Sequence, residues 1–463
     1  MVSASLIATL KTIVGPRGYV ADDAIASKNY QDLMGARAER PEILLRPANT
    51  AEVSAILRAC HAAGQAVVPQ GGMTGLVSAA APRSGEIALS FERMKQVLEV
   101  DPLTGTMTVE AGVELQTIQE QAAARGLLFP LDLGARGSCT IGGNLSTNAG
   151  GNRVIRYGMT RELVLGIEAV LADGTIVSSL NKLRKNNTGY DLKQLFIGSE
   201  GTLGIITRAV LRLMPQPSTQ AVALCALRDF KAVTDLLLHA QRCLAGNLTA
   251  FEVLWQNAYQ LIDQHIASVK VPLATDFPYY VLIESMGSSK EKDEALFLET
   301  LQQASEDGLI AEVIVADADK QIQNLWRIRD AAAEVSSGVG YMHTYDISLA
   351  VGDMGYFGEE VVKRLTQAWP QAIIGLFGHI GDGNLHIVIN VGPETRKLHD
   401  PVDSIIYGLV QELQGSVSAE HGIGLMKKAF LGHSRSAAEL ALMRQLKLAM
   451  DPKGILSPGR ILD

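Results

Sequence analysis

The sequence predicts an α+β protein of two or three domains that share one catalytic unit. Three observations carry this expectation. The chain has 463 residues, against ~100–200 for a typical domain. A β-α-β pattern opens it, and strands alternate with helices beyond residue 218. Its 44 glycines exceed the usual share of ~7% and are clustered rather than dispersed. With 47% apolar and 19% charged residues, the chain can bury a large core and is neither disordered nor fibrous. Its 41 basic against 49 acidic residues give a net charge of −8, the wrong balance for a polyanion, so no nucleic acid partner is expected. The four cysteines, Cys60, Cys139, Cys225 and Cys243, form no CxxC pair. That excludes a disulfide framework or thiolate zinc site and fits a reducing compartment. The first residues, MVSASLIATLKTIVGPRG, lack the basic start of a secretory signal and the arginines of a mitochondrial presequence. The most apolar stretch, 373–391, is interrupted by His379, Asp382, Asn384 and His386, whereas a membrane span takes ~20 apolar residues. A soluble, cytoplasmic protein with no transmembrane segment is therefore expected.

In chain order, residues 1–40 read as a helical preface. Ile43–Arg46 is a short strand, and Thr50–Gly64 is a helix with Ala51, Val53, Ile56, Leu57 and Cys60 at helical spacing and Gly64 as its C-cap. Gln65–Pro69, Glu86–Ser90, Val97–Val100 and Met107–Glu110 read as strands separated by turn residues, and Gly112–Arg125 as an amphipathic helix. Between glycine clusters at 134–151 and 189–204 lies a strand-turn-strand, Leu163–Leu171 and Thr175–Val177. Met214–Ser218 carries two prolines two residues apart and reads as a linker. Beyond it, strands at 221–226, 279–285, 312–315, 344–351, 373–377 and 386–391 alternate with helices at 229–245, 257–267, 290–306, 320–335 and 353–367. Helices at 401–414 and 434–450 close the chain. The expected domains are 1–217, 218–410 and a C-terminal helical segment, 411–463, packing back on the first.

Glycine lets a backbone reach φ > 0 and lets N–H groups approach a ligand without a Cβ in the way. Gln70-Gly71-Gly72-Met73-Thr74-Gly75 follows a strand directly, and Gly142-Gly143-Asn144-Leu145-Ser146-Thr147-Asn148-Ala149-Gly150-Gly151 interleaves glycines with hydroxyls and amides. Either can form a concave anion site suited to a pyrophosphate. The alternative is a set of tight turns in a glycine-rich fold. The Rossmann fingerprint is absent, so a dinucleotide would be expected on loops and not at a helix N-terminus.

The second informative stretch is Gly378-His379-Ile380-Gly381-Asp382-Gly383-Asn384-Leu385-His386. It reads as a hairpin whose turn, Gly-Asp-Gly-Asn, is flanked by histidines, so both imidazoles can share one face. Ser418-Ala419-Glu420-His421-Gly422-Ile423-Gly424 adds a glycine-flanked carboxylate–imidazole pair. Two histidines and a carboxylate, here His379, His386 and Glu420, suit a divalent ion with an open position. A lone histidine is more often a satisfied core or surface residue. Arg329 lies on an amphipathic helix, free to grip a carboxylate in bidentate fashion or to pair on the surface with Asp330 or Glu334.

These stretches together resemble the flavin domain of the vanillyl-alcohol oxidase/para-cresol methylhydroxylase (PCMH) family, and most closely the FAD-dependent D-2-hydroxyacid dehydrogenases. The motifs are Pro69-Gln70-Gly71-Gly72-Met73-Thr74-Gly75-Leu76, Gly134–Asn144, Asn148–Gly151, Gly198–Gly204, HIGDGNLH and SAEHGIG. The resemblance covers residue 40 to the end. It implies a two-subdomain PCMH-type FAD-binding domain, an α+β substrate (cap) domain carrying the metal hairpin, and a C-terminal helical segment. It implies FAD contacts at Pro69, Gln70, Gly71, Gly72, Met73, Thr74, Gly75, Leu76, Gly134, Ser138, Gly142, Asn144, Thr147, Ala149, Gly150, Tyr157, Glu200, Gly201 and Ile206. It also implies Zn2+ or another divalent ion on His379, His386 and Glu420, with His421 as base, Asn384 on the substrate and Arg329 on its carboxylate. No histidine stands in the first loop, so the FAD should be non-covalent. The implied partners are a small-molecule 2-hydroxy acid, an electron acceptor such as an electron-transfer flavoprotein or a quinone and, as one option, a second copy in a homodimer.

Three positions depart from the family pattern. Relatives usually have asparagine where Met73 stands, and a thioether lacks an amide's hydrogen bonds. Relatives acting on D-2-hydroxyglutarate have a threonine and a lysine for the distal carboxylate where this chain has Ala333 and Thr344. His343 or Lys185 would have to compensate. The expected substrate is therefore a D-2-hydroxy acid, D-lactate-like or D-2-hydroxyglutarate, with a bias toward D-lactate-like or other monocarboxylates. An oxidase using O2, a glycolate-type flavin subunit, a metal-dependent hydrolase built on His379, His386 and Glu420, and a non-catalytic nucleotide binder are the competing readings.

Overall fold

The computed structural model describes residues 2–31 and 39–463. The chain divides into one unit of Met1–Gly151, Gly158–Gln216 and Glu420–Asp463, and another of Asn152–Tyr157 and Pro217–Ala419. The first break falls at the expected proline linker. The C-terminal break falls at 419/420 instead of 410/411, because the helix His399–Glu412 packs on Met354–Ala368 within the second unit. Residues 152–157 also join that unit: Arg153 pairs there with Glu284, and the Ile155 side chain fills the space left by Gly381.

In the first unit the described part of the expected helical preface is a helix, Ala4–Gly18, followed by a strand, β1, Tyr19–Ala21. This strand pairs antiparallel with β2, Ile43–Leu45. Then come β3, Val67–Gln70, and β4, Ile87–Ser90, in a four-stranded sheet of order β1-β2-β4-β3. Strands β2, β4 and β3 run parallel. Their unbroken apolar runs suit a buried parallel sheet. The helix Thr50–Ala63 starts where the Asn49 side chain accepts from the Glu52 amide and ends at Gly64, φ 65°. A second, antiparallel sheet holds β5, Val97–Asp101, β6, Thr106–Glu110, β8, Val164–Val170, β9, Ile176–Ser179, and β10, Ile205–Arg212, in the order β5-β6-β10-β8-β9. A small ribbon pairs β7, Leu127–Leu128, with β11, Met214–Pro215. Part of the expected linker is thus an edge strand, where a proline's missing N–H costs no ladder bond.

The C-terminal segment is fastened to this unit by Arg460, whose side chain is fully buried. Its five N–H donors reach both oxygens of Glu86, at 2.5 Å from Nη1 and 2.8 Å from Nη2, and the carbonyls of Ala79, Ala81 and Pro458.

The second unit is built on one antiparallel sheet. Its strands are β12, Thr219–Leu227, β13, Leu248–Trp255, β14, Tyr279–Gly287, β15, Glu312–Val315, β16, His343–Ser348, β17, Ile373–His379, and β18, Asn384–Asn390. They lie in the order β15-β12-β14-β13-β17-β18-β16. The helices Gln256–His265 and Asp319–Ala331 cover one face through Val222, Leu224, Leu254, Tyr280, Leu282, Leu325 and Ile328. Strand β13 was not expected from the sequence. It is wholly buried in spite of Glu252, and that charge breaks the apolar run by which a central strand is recognised. The expected helix 320–335 ends at Ala331 and continues as a single 3-10 turn, Ala332–Glu334.

Replacing Arg460 with methionine leaves Glu86 with Arg83 as its remaining cation. We expect a loss of about 3 kcal/mol in unfolding free energy by urea titration, and no rescue by lysine, which cannot fill five directed sites.

Candidate active site

In the first unit the three glycine clusters meet because side chains are missing where they touch. A Cβ on Gly72 would stand 1.8 Å from the Ser138 carbonyl oxygen, and one on Gly71 2.5 Å from Thr140 Oγ1. A Cβ on Gly201 lies 2.6 Å from Pro69 Cγ, and the Glu200 amide donates to the Ser146 carbonyl at 2.8 Å. Each contact closes only over bare backbone. Contrary to the loop expectation, Ile141–Thr147 is a short helix ended by Asn148 at φ 52°. Gly142 permits it, because a Cβ there would meet Ala111 at 2.8 Å. The Thr147 hydroxyl donates to the Gly143 carbonyl at 3.3 Å, and the Ala149 carbonyl accepts from Thr160.

Three buried polar atoms at this junction, Gln70 Oε1, Thr140 Oγ1 and Asn144 Oδ1, have no hydrogen-bond partner. Buried acceptors are rarely left so, and here they mark where a polar ligand fits. Among the other expected contacts, Gly150 and Ile206 are buried, Thr74 and Leu76 half-buried, and Gly75, Gly134 and Ser138 exposed. Tyr157 belongs to the second unit. Met73 has φ 57°, a conformation asparagine tolerates and methionine does not favour.

Glu200 also sits at positive φ, 52°. Its carboxylate accepts from the Ile423 and Gly424 amides at 2.7 and 2.8 Å and so holds the loop bearing His421. Burial pushes this carboxyl up to about 7, against the lowering pull of the two amides, Lys427 and Arg460. In the same unit Glu420 accepts from the Gly151 amide.

In the second unit the sheet register assembles a polar row. Glu252 on β13 lies opposite His379 on β17, and His386 on β18 lies between Phe377 and Asp346 on β16. Paired residues of an antiparallel ladder share a face, so His379 and His386 meet diagonally, with ring centroids 5.2 Å apart. Glu252 is the hub. Its Oε1 lies 2.7 Å from His379 Nδ1, and its Oε2 accepts from Arg329 Nε at 2.7 Å. Burial raises this carboxyl, but His379 and Arg329 together outweigh burial and hold it below the ordinary value. Arg329 Nη2 stands 3.0 Å from His379 Nε2. Arg329 is thus 12% exposed and directed inward. The surface ion pair with Glu334 is made by Arg327 instead, at 2.7 Å.

Asp346, fully buried, accepts from Asn384 Nδ2 at 2.9 Å and from the Ala419 amide at 3.1 Å, and lies 3.8 Å from His386 Nδ1. Asn384 Oδ1 is buried without a partner. One helical turn before Arg329, Trp326 Nε1 donates to Glu284 at 3.0 Å, and Glu284 also receives Arg153, Gln220 and Thr249. Glu252, Glu284 and Asp346 were missed as site residues. For Glu284 the available signal was a single acid inside an otherwise mostly apolar strand, and for Asp346 an acid between Tyr345 and Ile347. Thr344 is exposed on β16, Ala333 is exposed, and His343 is buried with Nε2 at 2.6 Å from the Thr395 carbonyl.

Comparison with known proteins places this architecture. The FAD binding domain family matches residues 41–179, and the family of FAD linked oxidases, C-terminal domain, matches 216–461. Together they define an FAD-linked oxidoreductase. D-2-hydroxyglutarate dehydrogenase of Bos taurus, described as mitochondrial, is 40% identical over 462 residues, 100% of this chain and 84% of that one. The enzyme of that name from Stutzerimonas stutzeri is 38% identical over 469 residues, 100% of this chain and 99% of that one. The solved structure of p-cresol methylhydroxylase with substrate bound shares the fold, with a TM-score of 0.78 at 16% identity over 99% of this chain and 96% of that one. The chain belongs to the FAD-dependent D-2-hydroxyacid dehydrogenases, in the D-2-hydroxyglutarate/D-lactate dehydrogenase branch of the FAD-linked oxidases. Among the described residues no helix is long and apolar enough to cross a membrane.

Two outcomes are expected. Met73→Asn relieves a left-handed methionine that costs about 1 kcal/mol, so urea unfolding should show stability raised by about that amount; unchanged stability would show that residue 73 carries no such strain. For Glu200, the folded carboxyl at about 7 exceeds the unfolded value, so the native state holds the extra proton. Stability then falls as pH rises from about 4.5 to 7, by up to about 3 kcal/mol. Urea unfolding of Glu200→Gln holoprotein should lack this slope.

Proposed function

We propose that the protein oxidises a D-2-hydroxy acid to the 2-oxo acid, passing a hydride to non-covalent FAD with the assistance of a divalent ion, zinc by its donor set. The observation that carries the reading is the inward-facing row Arg329–Glu252–His379–His386, with Glu252 and His379 buried. It brings a carboxylate-binding cation and two nitrogen ligands onto one face of one sheet. The donors fit such an ion. An ionised Glu252 can only accept, so His379 Nδ1 carries a proton, and the neutral ring then keeps a lone pair on Nε2. The buried acceptors Gln70 Oε1, Thr140 Oγ1 and Asn144 Oδ1 likewise fit a hydroxyl-rich nucleotide.

Bound FAD supplies the hydride acceptor at N5, and a divalent ion supplies a Lewis acid that makes the substrate hydroxyl more acidic. His379 and His386 would hold such an ion, with Glu420 as the carboxylate proposed to complete the set. Arg329 pairs with the C1 carboxylate, and its N–H groups now on His379 Nε2 are released to it. Asn384 offers its unpartnered Oδ1 to the substrate. His421 takes the hydroxyl proton on an imidazole nitrogen. Electrons then leave to an electron-transfer flavoprotein or a quinone.

The uncharged Ala333 and Thr344 support a monocarboxylate such as D-lactate. A second reading, D-2-hydroxyglutarate, is favoured by the names of the relatives and by Arg153, a cation on the same sheet face as Arg329 through its Glu284 anchor.

The test is anaerobic flavin reduction. A D-2-hydroxy acid should bleach the ~450 nm band while its L-enantiomer leaves it, a chelator should slow bleaching, and zinc should restore it. Persistence of the yellow band with every D-2-hydroxy acid overturns the proposal, and kcat/KM for D-lactate against D-2-hydroxyglutarate decides the substrate.

A further inference from the structure

Glu252 has no role in hydride transfer, metal ligation or substrate contact as set out above, yet it is the most constrained ionisable group of the second unit. It is 1% exposed in the middle of a strand whose eight residues are all buried. An acid there costs several kcal/mol unless both oxygens are satisfied. They are satisfied by two groups from different elements, His379 at the end of β17 and Arg329 in the last turn of the helix Asp319–Ala331. Oε1 takes the imidazole and Oε2 the guanidinium, each at 2.7 Å.

We propose that Glu252 is the positioning residue of the active site, setting with one carboxylate the tautomer of His379 and the direction of Arg329. This rests on the metal and substrate roles proposed above. An imidazole has one N–H and one lone pair when neutral, and its second nitrogen is fixed by whatever the first is bonded to. Glu252 Oε1 fixes the proton on Nδ1, so Nε2 is the donor atom offered to a metal. Arg329 has five N–H donors in a rigid fork. Glu252 Oε2 holds Nε, and with that nitrogen fixed Nη2 stands at His379 while Nη1 lies 4.0 Å from Asp330. The ion and the substrate carboxylate are thereby aligned to each other by a shared anchor. Neither partner can shift without the other, because the two carboxylate oxygens are rigidly joined.

Glu252→Gln keeps the volume and one acceptor but presents an N–H₂ to one of two donors. With wild type and variant both purified as flavoproteins, competition against a chromogenic chelator should show zinc affinity lowered 10- to 100-fold in the variant. At saturating zinc, KM for the D-2-hydroxy acid should rise at least about tenfold and kcat by contrast change little, since a misdirected Arg329 loses ground-state binding. The KM effect should vanish in an Arg329→Met background, while the zinc effect persists. Unchanged zinc affinity and KM in a folded, yellow variant would overturn the proposal. Should Glu252→Gln not fold, nitrogen-15 spectra of histidine-labelled wild type decide: the signal lost in His379→Gln must be that of an Nδ1–H tautomer, and an Nε2–H signal refutes the assignment. A wild type that binds no zinc would instead refute the metal reading itself.

Discussion

A carboxylate buried in a β-sheet must be met by donors, and in the second unit this requirement orders the chemistry. Glu252, Glu284 and Asp346 are each at most 1% exposed. Left alone, each would cost several kcal/mol, more than many single contacts supply. Their partners are the groups from which an active site can be made: Arg329 and His379 on Glu252, Arg153 and Trp326 on Glu284, Asn384 beside His386 on Asp346. The acids therefore act as a fixed lattice of acceptors that holds the basic and amide side chains bonded to it. Rotamer freedom that a free arginine or histidine would lose on binding is already lost on folding, which is the preorganisation an active site needs.

The first unit solves a different problem by steric means. Gly71, Gly72 and Gly201 are where three chain segments would collide if any carried a Cβ. The close approach leaves the polar atoms of Gln70, Thr140 and Asn144 buried and unpaired. Polar groups excluded from water and from each other are an unstable arrangement unless a ligand completes it. A nucleotide that does so contributes to the stability of the unit as well as to its function.

Much of this could be read from the sequence, for identifiable reasons. Clustered glycines after a strand announce close backbone approach, and histidines flanking a Gly-Asp-Gly-Asn turn announce one shared face. Both are local patterns. Glu252 was illegible because its meaning depends on partners 77 and 127 residues away, and because it disguised its own strand. The helix Ile141–Thr147 was illegible for the opposite reason. Its glycines argue locally against a helix, and packing against Ala111 overrides that preference. The domain boundary was misplaced by a few residues because helix packing, not composition, sets it at 419/420.

The direction in which these polar side chains point is not chosen by the side chains themselves. Along β18 Leu385, Ile387 and Ile389 are fully buried on one face, which leaves His386 to the other. Tyr345 and Ile347 do the same for Asp346, Phe251 and Val253 for Glu252, and Leu376 for Phe377 and His379 across Gly378. A slip of one residue in any strand would exchange the two buried faces, mismatching the packing of each and sending the acids and histidines into the apolar layer. The register is thus held by hydrophobic burial, and the polar row inherits its alignment from it. Each strand needs only one or two polar positions in a period-two apolar pattern, and the row of donors across four strands then assembles without any of them being close in sequence.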